Sequence, residues 1–83
     1  MTQLLLSNVP WNCEEAELRQ WIEPRGFPVS SIRVIRDLVA NGSPAFAYVT
    51  LHDSSQIGEA IEVLHGQKLK GHIVQVQVGS RRR

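Results

Sequence analysis

The 83-residue chain is predicted to adopt an α+β fold: a four-stranded antiparallel sheet with two helices on one face, in the order β-α-β-β-α-β. Three observations lead there. Two segments place apolar residues at helical spacing, and four others alternate or run apolar over strand lengths. The third is residues 44–51, PAFAYVTL, where Phe46, Tyr48 and Thr50 share one side of a strand and Ala47, Val49 and Leu51 the other. Both sides of that strand are apolar. Helices cover only one, so the other faces water or a partner.

Each element follows from its residues. Residues 3–8 form an apolar run closed by the turn chemistry of Asn8, Val9 and Pro10, a first strand. Over 14–23, Leu18, Trp21 and Ile22 recur at i, i+3 and i+4 behind early glutamates that complement the helix dipole. Pro24 and Gly26 stop this helix. Residues 31–37 are β-branched, with Ile32 and Val34 alternating against Arg33 and Ile35. Asn41 and Gly42 form a turn pair that joins this strand to 44–51 as a hairpin. Asp53 caps a second helix with an apolar face of Ile57, Ala60, Ile61 and Leu64, and Gly66 ends it. In 73–78, Val74, Val76 and Val78 alternate with Gln75 and Gln77, a half-buried fourth strand.

Composition narrows the function. With 42% hydrophobic and 20% charged residues, the chain reads as one globular domain over 1–79, followed by a short basic tail over 80–83. No apolar run reaches the ~20 residues of a membrane span, and the start has no secretory-signal pattern, so an intracellular, cytoplasmic or nuclear, monomer is expected. Cys13 is alone, and His52, His65 and His72 do not stand at metal-ligand spacing with it. No nucleophile, base and stabiliser group together, so neither an enzyme nor a cofactor is expected. The net charge of +1 rests on Arg81, Arg82 and Arg83. Six of the eight acids are glutamates in the helical segments, which leaves the strand arginines to make one surface basic.

If the helices cover Leu4, Leu6, Ile32, Val34, Ala47, Val49, Leu51, Val74 and Val76, the open face carries the alternate residues, Phe46 and Tyr48 among them. At this point the sequence resembles the RNA recognition motif family, a ferredoxin-like sandwich, over nearly its whole length. Residues 44–51 match the family's octamer of basic, Gly, aromatic, Gly/Ala, aromatic, aliphatic, any, aromatic, and 4–9, LLLSNV, match its hexamer. Pro10-Trp11, Glu17-Leu18, Ala60-Ile61, Leu64-His65-Gly66 and Leu69-Lys70-Gly71-His72 fall in order at family-like spacing.

The resemblance implies binding of single-stranded RNA on the open sheet, with bases stacked on Phe46 and Tyr48 and base edges read by hydrogen bonds. Arg33, Arg36 and the Arg81, Arg82 and Arg83 tail suit phosphate contacts or guanidinium stacking; Gln3, Gln75 and Gln77 suit base edges. Single-stranded DNA can compete, because stacking does not distinguish sugars. Departures from the pattern are informative too. Leu5 replaces an aromatic, Pro44 a basic residue, Ala45 a glycine, and Leu51 the final aromatic at a core-facing position. They point to modest, salt-dependent binding. They also keep a second reading open, a protein partner or second copy on an apolar patch of Leu5, Ile35, Phe46, Tyr48 and Ile73.

The plain readings cover the other conspicuous residues. Trp21 shares a helix face with Leu18 and Ile22 and reads as core, while Trp11 reads as packing at the helix entrance. Cys13 reads as a small semi-buried residue, and the glutamates as a solvated helix face.

Overall fold

A computed structural model describes residues 2–35 and 45–80. The expected order of elements is present, with one addition near the end. Strand β1 (Thr2–Val9), helix α1 (Glu15–Ile22), strands β2 (Val29–Ile35) and β3 (Ala45–Leu51) and helix α2 (Ile57–Leu64) follow one another. A small hairpin of β4 (Lys68–Leu69) and β5 (His72–Ile73) then precedes the last long strand, β6 (Gln75–Ser80). The main sheet has the order β2-β3-β1-β6, all pairs antiparallel. The Asn41-Gly42 turn lies outside the described residues.

Local chemistry accounts for the boundaries. The Glu17 carboxylate accepts the Glu14 backbone N–H at 2.9 Å and opens α1. That bond, then the Lys70 ammonium at 3.0 Å, holds the Glu17 carboxyl below its usual range. A 3₁₀ turn, Glu23–Arg25, contains Pro24 and ends α1, and Gly26 turns the chain with φ of 101°. Glu23 does more than solvate that end: it accepts Arg19 at 3.2 Å and the Val29 N–H at 3.1 Å, while Arg19 donates to the Val29 carbonyl at 2.9 Å. The start of β2 is thus clamped to the last turn of α1.

Asp53 accepts from the Ser55 hydroxyl at 2.7 Å and from its N–H at 3.0 Å, two bonds that lower its carboxyl below the ordinary value. It caps a 3₁₀ turn, Ser54–Gln56, that leads into α2, so the helix itself starts later than the cap suggests. Gly66 leaves α2 with φ of 86°.

The core lies between the helices and one face of the sheet. Leu4, Leu6, Ala47, Val49, Leu51, Val74 and Val76 are buried from the sheet side; Leu18, Ile22, Ile57, Ala60 and Leu64 meet them from the helices. Phe27 and Cys13 join them, so Cys13 is fully buried rather than half-buried. Ile32 and Val34, on the edge strand β2, pack against this core while partly exposed. Val78 departs from its alternation partners and is exposed. The cover of α2 reaches only as far as Val76, whose N–H donates to Nδ1 of His65 at 3.0 Å directly after that helix. Val78 lies one residue pair beyond.

One correction concerns the end of the chain. Ile73 is not in the main sheet: Lys70 and Gly71, both at positive φ, turn the chain tightly and pair Ile73 with Lys68. The hairpin is tied down by Trp21, whose indole N–H donates to the Lys68 carbonyl at 3.1 Å while Arg25 lies 4.9 Å over its ring. Trp21 therefore contacts the core only in part. The last strand runs through Ser80, where Thr2 and Gln3 pair with Ser80 and Gly79.

Candidate nucleic-acid interface

The register places the candidate residues in transverse rows across the open face. One row reads Arg33, Tyr48, Leu5 and Gln77 on four adjacent strands: Arg33 pairs with Tyr48, Tyr48 with Leu5, and Leu5 with Gln77. On one side of it, Ile35 pairs with Phe46 and Ser7 with Gln75. On the other, Ser31 pairs with Thr50 and Gln3 with Gly79, and the Gln3 amide bridges the two pairs by donating to the Thr50 hydroxyl at 3.0 Å. Gln3, Leu5, Arg33, Phe46, Tyr48, Gln75 and Gln77 are thus one contiguous surface. Arg36, Arg81, Arg82 and Arg83 lie outside the described residues.

Exposure separates the two aromatics. Phe46 is 44% exposed beside Ile35 at 40%, an apolar pair open to solvent at the edge of the sheet. Tyr48 is half-buried, for a reason at Gly79. A methyl group built on Gly79 would sit 3.0 Å from Leu5 Cβ and 3.1 Å from Tyr48 Cε1. The Tyr48 ring therefore leans from β3 across Leu5 onto the bare backbone of β6, and the missing side chain at Gly79 makes room for it. Leu5, short where the family has a ring, leaves the same lane open. Sequence reasoning placed Gly79 at the edge of a tail and missed this. A glycine directly after an alternating strand was the available signal.

Tyr48's lean leaves the β2 side of the sheet uncovered. An open depression of about 500 Å³ lies there, lined by Gln3, Ser31, Ile32, Arg33, Ile35 and Tyr48. Arg33 is exposed within it. Among the described residues of the open face Arg33 is the charged one, while the described carboxylates belong to the helices and their flanking turns. Gln3, one of the lining residues, has its Oε1 buried with no hydrogen-bond partner among the described residues.

Phe46 and Tyr48 stand two residues apart on one strand, about 7 Å by the rise of an extended chain. Among the described residues no three His, Cys, Asp or Glu side chains gather to hold a metal ion, and no helix is long and apolar enough to cross a membrane.

Comparison with known proteins decides the family. The model of the RNA recognition motif matches residues 4–75. The chain belongs to the RNA recognition motif family. A 28 kDa chloroplastic ribonucleoprotein of Spinacia oleracea is 34% identical over 80 residues, which cover 96% of this chain and 34% of that protein. A 31 kDa chloroplastic ribonucleoprotein of Nicotiana sylvestris is 32% identical, with 96% and 25% covered. The chain thus spans about a third or less of these relatives. Both names put those proteins in the chloroplast, a compartment outside the cytoplasm-or-nucleus expectation. Among solved structures, the third RRM domain of Mip6 superposes with a TM-score of 0.84 at 22% identity, covering 94% of this chain and 92% of that one, and shares the fold.

Proposed function

We propose that this RRM binds single-stranded RNA on its open sheet face, without catalysis and without a cofactor. The observation that carries the reading is the contiguous row of Arg33, Tyr48, Leu5 and Gln77, with the exposed Phe46 one row away. Phe46 stacks one base and Tyr48 a second, each contributing about 1–3 kcal/mol. Leu5 gives a flat apolar contact where the family carries a ring. Gln75 and Gln77, exposed on the edge strand β6, carry amides for base edges, and Arg33 supplies positive charge. Arg36 and the Arg81, Arg82 and Arg83 tail add phosphate contacts. The names of the ribonucleoprotein relatives support RNA as the ligand. Single-stranded DNA binds the same rings more weakly if a 2′-hydroxyl is read.

Fluorescence anisotropy with labelled single-stranded and duplex RNA of one sequence tests this. Phe46→Ala and Tyr48→Ala should each weaken single-strand binding about fivefold to 150-fold, the equivalent of one lost stack. Unchanged affinity in both variants, with the fold intact, would remove the stacking role. The exposed Ile35 and Phe46 pair favours a second reading, an apolar protein contact. Its binding would be nearly insensitive to salt, whereas RNA binding weakens steeply with it.

A further inference from the structure

We propose that the depression beside Tyr48 is a base-selective subsite that takes guanine, with Arg33 as the residue that selects it. This rests on the sheet face being an RNA platform, and it adds a sequence preference that stacking alone does not supply. The depression, about 500 Å³, is within the ~300–1,000 Å³ typical of small-ligand pockets. Its walls have the mixed character a base requires. Ile35 and the Tyr48 ring offer apolar surface for the flat faces, and Gln3, Ser31 and Arg33 offer polar groups for the edges.

Arg33 narrows the choice among bases. Its guanidinium presents two parallel N–H donors, and guanine presents two adjacent acceptors, N7 and O6. Adenine and uracil have no two adjacent acceptors and leave an Arg33 donor unmatched, while cytosine has adjacent acceptors in N3 and O2 but carries its N4 amine beside them and not on the opposite edge. Arg33 is also available, since it is exposed and forms neither a hydrogen bond nor an ion pair with another described residue.

Gln3 supplies an independent pointer. Its Nε2 donates to the Thr50 hydroxyl at 3.0 Å, and its Oε1 is buried without a partner among the described residues, on a side chain that lines the same depression. A buried acceptor without a donor is unfavourable, so a group that brings one is preferred there. Guanine carries such a donor, the N2 amine, on the edge away from N7. A small turn of the Gln3 amide presents Oε1 to it. The two residues thus address opposite edges of one base, and only guanine answers both.

The test uses short oligouridines with one central guanine, adenine, inosine or 7-deazaguanine, titrated by fluorescence anisotropy against wild type, Arg33→Lys, Arg33→Ala and Gln3→Leu. The guanine oligomer should bind about tenfold tighter than the adenine one. Replacing N7 by carbon should erase most of that gain in wild type and change nothing in Arg33→Ala. Removing the N2 amine, as in inosine, should cost affinity in wild type and not in Gln3→Leu. Arg33→Lys keeps the charge and should lose the preference while still binding oligouridine. Equal affinity for guanine and adenine oligomers, with oligouridine still bound, would overturn the subsite and leave the platform standing. So would an Arg33→Ala variant weakened equally on every oligomer with a smaller salt slope, the signature of a phosphate contact. If wild type binds none of the oligomers, the platform reading fails and the subsite with it.

Discussion

Replacing Gly79 by alanine places one methyl group against Leu5 and the Tyr48 ring. Carbon atoms pack best at about 3.5–4.0 Å. The added Cβ would stand 3.0 Å from Leu5 Cβ, 3.1 Å from Tyr48 Cε1 and 3.3 Å from the Leu5 backbone N. Two of these neighbours are fixed to strand β1 and cannot yield much, so the Tyr48 ring is the part that moves. Overpacking of this kind costs about 1–3 kcal/mol in stability. A ring lifted off β6 also loses its stacking position, with about 1–3 kcal/mol of binding at stake. Urea denaturation of Gly79→Ala should show the first cost, and anisotropy with single-stranded RNA a loss of about fivefold or more. In a Tyr48→Leu background the same substitution should have little further effect on binding. Wild-type affinity in Gly79→Ala, with unshifted Tyr48 ring resonances, would refute the argument that Gly79 seats Tyr48.

Other substitutions separate fold from face. Leu6→Ala, at a fully buried position, should cost about 2–5 kcal/mol in chemical denaturation, whereas Phe46→Ala should leave the midpoint nearly unchanged. Trp21→Phe removes the donor to the Lys68 carbonyl and should cost about 1 kcal/mol, with faster amide exchange in the β4–β5 hairpin and no change in RNA affinity. The depressed carboxyls set the acid response. Glu17, held down first by the Glu14 N–H and then by Lys70, and Asp53, held down by the Ser55 hydroxyl and N–H, stabilise the fold above their ordinary values of 4.5 and 3.8. That contribution disappears as pH falls through their lower folded values, so a Glu17→Gln, Asp53→Asn variant should lose less melting temperature than wild type between about pH 6 and about pH 3.

Much of this surface was legible because strand alternation is a strict rule. Once 44–51 is a strand, Phe46 and Tyr48 must share a face, and Ala47, Val49 and Leu51 must oppose them. Alternation along one strand says nothing of register between strands. The row from Arg33 to Gln77 therefore needed the pairing. The β4–β5 hairpin was hidden in a different way. Lys70 and Gly71 make a two-residue turn whose flanking strands are two residues each, too short for a periodic signal, and Ile73 was drawn into the longer valine pattern beside it. Val78 shows the limit of periodicity itself: it lies on the same side as Val76, yet burial also depends on how far α2 extends. Gly79 carried the least signal and the largest consequence for the site, since its effect lies in what it lacks.

An amide NMR titration with short single-stranded RNA at two salt concentrations is the direct measurement of the sheet face as the RNA platform. The expected result is salt-sensitive shifts at Leu5, Arg33, Phe46, Tyr48 and Gln75 to Gly79, with α1 and α2 still. Shifts confined to the helices, or none in a folded domain, would contradict it and turn attention to a protein partner on the Ile35 and Phe46 patch.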